Sequence, residues 1–257
     1  MGLDMLYDML KTCLVVPCYN EAGRLNAEQL IAYLKSNPWL HICFVNDGSL
    51  DNTVAMLASI TREAPSNSSF FSLDQNLGKA EAVRKGMMVC NEGSCYDFIG
   101  FLDADMATPL EEIEKMVVQG KKSKDIVMLS GCRLLRLGAF VDRTPARHYL
   151  GRIFATFASM TLGLPVYDTQ CGAKIFRQSM INQLFGKPFI SKWLFDVEIF
   201  ARINQIIGPE ETRSRVSEVP LTQWKEMPGS KIGFLQYFTA PVDLLRIYYH
   251  YVLLNRK

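Results

Sequence analysis

Short apolar runs recur along the chain, and each empties into a cluster of small polar residues. Thr12–Val16 leads into Pro17-Cys18-Tyr19-Asn20-Glu21, and His41–Val45 into Asn46-Asp47-Gly48-Ser49. Ser69–Leu73 precedes Asn76-Leu77-Gly78-Lys79, and Phe98–Leu102 runs directly into Asp103-Ala104-Asp105. Runs this short, with no alternation, read as strands buried on both faces of a parallel sheet. Helical periodicity separates them: Leu25, Leu30, Ile31 and Leu34; then Val54, Leu57, Ala58 and Ile60; then Ala80 to Val89. Thr108-Pro109-Leu110-Glu111-Glu112 opens a fourth helix, and Asp125–Leu129 is a fifth strand. Strand–helix alternation of this kind builds right-handed crossover units. It gathers the polar clusters at one rim of the sheet, where open α/β folds hold their ligands.

Beyond Gly131 the alternation fades. Arg143 to Leu164 has a helical pattern, with Phe154, Phe157 and Met160 among its apolar positions. Asp168-Thr169-Gln170-Cys171-Gly172 precedes a strand at Ala173–Phe176, and Phe195–Ile207 forms a helix carrying Asp196 and Glu198. A strand at Ser214–Pro220 is followed by the turn Met227-Pro228-Gly229-Ser230-Lys231 and by a tail, Ile232–Lys257, rich in aromatic residues. The expectation is one α/β domain over 1–257, a mostly parallel central sheet flanked by helices with a smaller mixed C-terminal part. Its tail has an aromatic, amphipathic character.

Composition narrows the choices. With 257 residues, 49% of them hydrophobic, the chain can bury a full core. A net charge of +2 gives no global signature of nucleic-acid binding. The seven cysteines are scattered and lack a C-x-x-C pair, which implies reduced thiols in a cytoplasmic setting and no zinc site. Met1–Lys11 mixes Asp4, Asp8 and Lys11 among apolar residues, unlike a signal peptide. Ile153–Val166 is too short to span a bilayer and is broken by Gly163 and Pro165, so a soluble or peripheral protein is expected. No G-x-G-x-x-G follows the first strand and no GKS or GKT is present, which argues against a dinucleotide site or a Walker loop.

Chemistry concentrates in two places. Asp103 and Asp105 lie two apart in extended chain, about 6.5–7 Å between Cα atoms and facing the same way. Such a pair suits Mg2+ or Mn2+ bound by one or two carboxylates plus substrate phosphates; a helix cap by Asp105 or Thr108 would account for the same letters. Lys79 opens a helix, a favourable position for phosphate. Residues 131–152 carry Arg133, Arg136, Arg143, Arg147 and Arg152 against Asp142 alone, a set that can bind phosphate through guanidinium forks.

Taken in order, PCYNE, NDGS, NLGKAEAVRKGM, LDADMATP, DTQCGAKIF, FDVEI and PGSK resemble glycosyltransferase family 2 over about Cys13 to Arg246. The resemblance is greatest to the dolichyl-phosphate β-glucosyltransferases and related polyprenyl-phosphate glycosyltransferases. It implies a GT-A fold, with a nucleotide-sugar-binding half at 12–131, an acceptor-binding half at 132–231 and the tail at 232–257. Pro17, Tyr19 and Glu21 would line the nucleotide pocket, Asp47 would bind base or ribose, and Lys79 would approach base or diphosphate. Asp103 would help hold the donor, and Asp105, with Asp103 beside it, would ligate the metal. Asn46 stands where many relatives carry a second acid.

The expected reaction is inverting transfer of a sugar, glucose from UDP-glucose in preference to a GDP-sugar, onto a polyprenyl or dolichyl phosphate at a membrane surface. A phosphate nucleophile with a second pKa of about 6 is already ionised near neutrality, so Arg133, Arg143, Arg147 and Lys231 would form its cradle. A relative acting on a glycan hydroxyl would instead use Asp168 as general base. A non-catalytic nucleotide-sugar-binding protein would have no need of Asp105.

Overall fold

The computed structural model describes residues 11–93, 95–227 and 234–254, with the side chains of 234–238 excepted. The central sheet contains β1 (Thr12–Cys18), β2 (Leu40–Asn46), β3 (Ser68–Ser72), β4 (Phe98–Leu102), β5 (Met128–Cys132), β7 (Ala173–Arg177) and β8 (Val216–Pro220). Their order across it is β3-β2-β1-β4-β7-β5-β8. A second, two-stranded sheet pairs β6 (Phe140–Asp142) with β9 (Gln223–Lys225).

The four apolar runs at the start of the chain form β1 to β4, all parallel to one another. Burial explains their sequences: β4 is fully buried, and β1 and β2 nearly so. Helices α1 (Ala27–Ser36), α2 (Thr53–Glu63) and α4 (Leu110–Lys122) cover one face through Leu34, Leu57, Ile60, Ile113 and Met116. Helices α3 (Lys79–Asn91), α5 (Pro145–Leu162), α6 (Ile181–Phe185) and α7 (Phe195–Ile207) cover the other, where Val83, Met87, Ala158, Leu184 and Ile199 pack. The short α8 (Pro209–Arg215) precedes β8, and α9 (Phe234–Ile247) continues into a π-helical turn at Tyr248–Leu253.

Three boundaries differ from the sequence expectation. The fifth strand begins at Met128; Val127, although buried, spends its N–H on the Arg215 carbonyl at 2.8 Å. Ser214 lies in α8, not in the strand that follows. Helix α5 starts at Pro145, where a missing N–H costs nothing, and stops at Gly163 in the left-handed conformation.

The larger finding concerns β7. It runs antiparallel to both neighbours, β4 and β5, and so interrupts the parallel sheet. Periodicity carries no sign of strand direction, which is why alternation alone does not reveal it. The inversion delivers the start of β7, and the DTQCG turn before it, to the rim at which β4 ends.

Close approach of β4 and β7 demands glycine at position 100, opposite Ile175. A Cβ there would lie 2.3 Å from the Lys174 carbonyl oxygen and 2.7 Å from Ile175 Cγ2. Gly100→Ala is therefore expected to destabilise the protein by about 1–3 kcal/mol, as overpacking does. Urea denaturation measures this; an unchanged midpoint would mean that the two strands separate freely.

Candidate active site

The four polar clusters meet in one cleft of about 1160 Å3, lined at one end by Pro17, Tyr19, Glu21, Asp47, Lys79, Asp103 and Asp105. Strand direction brings them there, since each cluster follows the C-terminal end of its own strand. Asp47 is buried and fastens two loops: its Oδ1 accepts the Leu77 N–H at 2.8 Å and its Oδ2 the Gly78 N–H at 2.9 Å. This places Lys79, the first residue of α3, at the cleft.

Lys79 Nζ lies 2.5 Å from Asp103 Oδ1. Burial works against its charge, but Asp103 and Asp196 outweigh burial and raise its pKa. Asp105 Oδ1 accepts the Ala107 N–H at 3.1 Å, and Oδ2 lies 3.5 Å from Arg24 Nη2. Met106 between them has φ of +51°, a strained conformation for a residue of its shape. Asn20, in the PCYNE cluster, is also left-handed, a conformation asparagine tolerates, so both left-handed non-glycine residues among those described sit next to residues that line this end of the cleft.

Burial and the neighbouring Asp103 charge push the Asp105 carboxyl up from its ordinary value. A hard cation would offset that cost, and the donor atoms are hard oxygens. Among the described residues no cluster of three or more His, Cys, Asp or Glu side chains could hold a metal by itself. The residues thus fit an ion shared between Asp105, with Asp103 adjacent, and oxygens brought by a substrate.

The other end of the cleft is cationic. Arg133 grips Asp168 with two parallel bonds, Nε to Oδ2 at 2.7 Å and Nη2 to Oδ1 at 2.8 Å, while its backbone N–H adds a third at 3.1 Å. Burial pushes the Asp168 carboxyl up, but the Arg133 guanidinium and its hydrogen bonds prevail and hold it well below the usual carboxylate range. Arg147 pairs with Glu226. Arg143 is half-buried against Gly151, and among the described residues its side chain has no hydrogen bond or ion pair. Burial and the nearby Arg133 charge lower its pKa, and the carboxylates of Asp168 and Glu226 do not make up the difference. Lys231 and the PGSK turn lie outside the described residues.

Between the two ends runs the DTQCG turn. Its Gly172 admits the Asp103 carboxylate, which would stand 2.0 Å from a Cβ at that position. The turn is fixed from below by Lys174, which has no exposed surface and donates to the carbonyls of Thr169 at 3.0 Å and Cys171 at 2.7 Å and to Asp196 at 2.5 Å. Asp196 therefore anchors a buried network and also lines the cleft. Sequence reasoning did not single out Arg24, Thr169, Gln170, Trp193 or Trp224. Arg24 carried a weak signal, lying three residues after Glu21; Trp224, 5.3 Å from the Arg133 guanidinium, carried none.

Beyond the arginines the cleft becomes apolar. Leu150, Ile153, Phe154 and Phe157 of α5 face Ala240, Leu244 and Leu245 of α9 across it. The adjoining surface exposes Tyr149, Met160, Val242 and Tyr249, with Met160 72% exposed. No described helix is long and apolar enough to cross a membrane.

The sheet order and the cleft at its rim are those of the GT-A fold. Solved structures agree: glucosyl-3-phosphoglycerate synthase from Mycobacterium tuberculosis with UDP superposes at a TM-score of 0.65, covering 96% of this chain and 84% of that one at 14% identity. The same enzyme with Mn2+ and UDP-glucose also gives 0.65, covering 97% and 82% at 13% identity. The chain belongs to glycosyl transferase family 2, whose description matches residues 13–185. Relatives include a dolichyl-phosphate beta-glucosyltransferase of Saccharomyces cerevisiae, 31% identical over 85% of this chain and 68% of its own length. Another, from Trichomonas vaginalis, is 29% identical over 92% of this chain and 70% of its own.

Asp168→Asn should uncover the buried Arg133 charge and cost about 3 kcal/mol of stability. Because the Asp168 pKa is depressed in the fold, its contribution is complete above the unfolded value of about 4 and is lost as pH falls below it. Denaturation of both proteins between pH 7 and pH 3 tests this: the difference between them should shrink toward the acid end.

Proposed function

We propose that the chain is an inverting hexosyltransferase that moves glucose from UDP-glucose onto a polyprenyl phosphate of the dolichyl type at a membrane surface. The observation that carries this reading is Arg143, a half-buried cation with no hydrogen bond or ion pair among the described residues, in a cleft that is polar at one end and apolar at the other. A phosphate on a long isoprenoid chain matches that junction. The relatives named for dolichyl phosphate and the neighbour bound to UDP-glucose and Mn2+ support the acceptor, the donor and the cation.

Each group then has a task. The loops of Pro17, Tyr19, Glu21 and Asp47 would hold uridine, and Lys79 and Asp103 would orient the diphosphate and sugar. When bound at Asp105 with Asp103 beside it, Mg2+ or Mn2+ would neutralise the charge that gathers on the departing UDP. Arg143, with Arg133 and Arg147, would fix the acceptor phosphate behind the anomeric carbon. That phosphate is ionised already and attacks without surrendering a proton. The state of Asp168 favours this over a hydroxyl acceptor, since a carboxylate locked to Arg133 and held far below its ordinary pKa is a weak proton acceptor.

A panel of UDP- and GDP-sugars with a short polyprenyl phosphate should yield lipid-extractable product from UDP-glucose, and none after chelation of divalent metal. Arg143→Ala should lower kcat/KM for the acceptor by about 10–100-fold, the worth of a charged hydrogen bond, while UDP-glucose affinity holds. Product with only a sugar acceptor would refute the reading. The exposed apolar residues of α5 and α9 would seat the enzyme on lipid. Wild-type protein should co-sediment with anionic vesicles and the double variant Tyr149→Asp, Met160→Asp should not; equal sedimentation would remove the membrane from the account.

A further inference from the structure

The DTQCG turn is held by hydrogen bonds to six of the backbone groups in and beside it. Glu218 accepts the N–H groups of Tyr167 and Asp168, each at 2.7 Å, and Asp168 Oδ1 accepts that of Gln170 at 3.1 Å. Lys174 takes the carbonyls of Thr169 and Cys171, and the Asp103 N–H takes that of Gly172 at 3.0 Å. The two side chains at the centre of the turn are not held in this way. Thr169 Oγ1 and Gln170 Nε2 are both enclosed, and neither has a hydrogen-bond partner among the described residues. Thr169 is 1% exposed, and both residues line the cleft.

Leaving a buried donor unpaired costs more than a hydrogen bond returns. Two such groups side by side, on a turn anchored by Glu218, Asp168 and Lys174, indicate a partner that comes and goes. The turn's position says what that partner is. Gly172 touches Asp103 at the donor end, and Asp168 is locked to Arg133 at the acceptor end. In an in-line displacement the transferred group must sit between the leaving diphosphate and the attacking oxygen, and the stretch of turn carrying Thr169 and Gln170 runs between those two anchors.

We propose that Thr169 and Gln170 form the subsite for the transferred sugar, binding hydroxyls of its ring and selecting among hexoses. The inference rests on the donor proposed above. A hydroxyl and an amide each donate and accept, as sugar hydroxyls do. The terminal amide torsion of Gln170 is soft, so its N–H can turn into the cleft at little cost. A site built to bond a hydroxyl rejects an analogue lacking it far more sharply than an apolar pocket would. The structural setting gives the subsite a further property: its two side chains contribute nothing polar to the empty protein, so their loss should not weaken the fold.

Calorimetric titration of UDP and of UDP-glucose, both with Mn2+, into wild type, Thr169→Val and Gln170→Met tests the proposal. Both replacements keep the shape and remove the polar atoms. Each variant should bind UDP-glucose about tenfold more weakly, bind UDP within about twofold of wild type, and melt no lower than wild type. Equal weakening of UDP and UDP-glucose, or a lowered melting temperature, would assign the residues to the nucleotide or to the fold and overturn the subsite. Wild-type binding of UDP-glucose with both variants indistinguishable from it would overturn the subsite and leave the donor standing. No UDP-glucose binding by wild type would overturn the donor, and the subsite with it.

Discussion

Lys174, the second residue of β7, places its amine where no surface is exposed to water. Desolvating such a group is costly unless its protons are all received, and here two carbonyls of one turn and the Asp196 carboxylate receive them. Almost everything at the cleft hangs on that arrangement. The two carbonyls shape the turn, the turn fixes Asp168 for Arg133, and its last residue leaves room for Asp103. Asp196 also faces Lys79 and raises its pKa, so one buried ion pair touches the electrostatics of both ends.

The cleft itself is a division of charge. Carboxylates with Lys79 and Arg24 occupy the end built by β1 to β4; Arg133, Arg143 and Arg147 with their counter-ions occupy the end reached through β5 and α5. Two anionic phosphates brought close together would repel each other in solution. On the function proposed above, the cationic end would receive one and the carboxylates, sharing a cation, the other, at the spacing a displacement needs.

Much of this was legible in the sequence. Buried parallel strands are uniform apolar runs, and their polar exits are short, so β1 to β4 and the rim they share could be read directly. Asp103, Asp105 and Lys79 were visible for the same reason. The direction of β7 was not, because reversing a strand leaves its composition unchanged. Nor could the sequence separate the arginines: Arg133 and Arg147 have acidic partners 35 and 79 residues away, whereas Arg143 has none among the described residues. Thr169 and Gln170 looked like ordinary turn residues, and only the complete accounting of hydrogen bonds around them shows what is missing.

The reversal of β7 also determines how the two halves of the cleft are spaced. In a wholly parallel sheet, neighbouring loops leave adjacent strand ends and drift with their own lengths. Here Leu102 pairs with Ala173 across an antiparallel ladder, so Asp103 and Gly172 are the next residues on facing rungs. The gap between the two halves is thus ruled off in units of the backbone repeat. Loops around it can lengthen or change sequence without altering that interval, as the jaws of a vernier keep their zero while the handle is replaced.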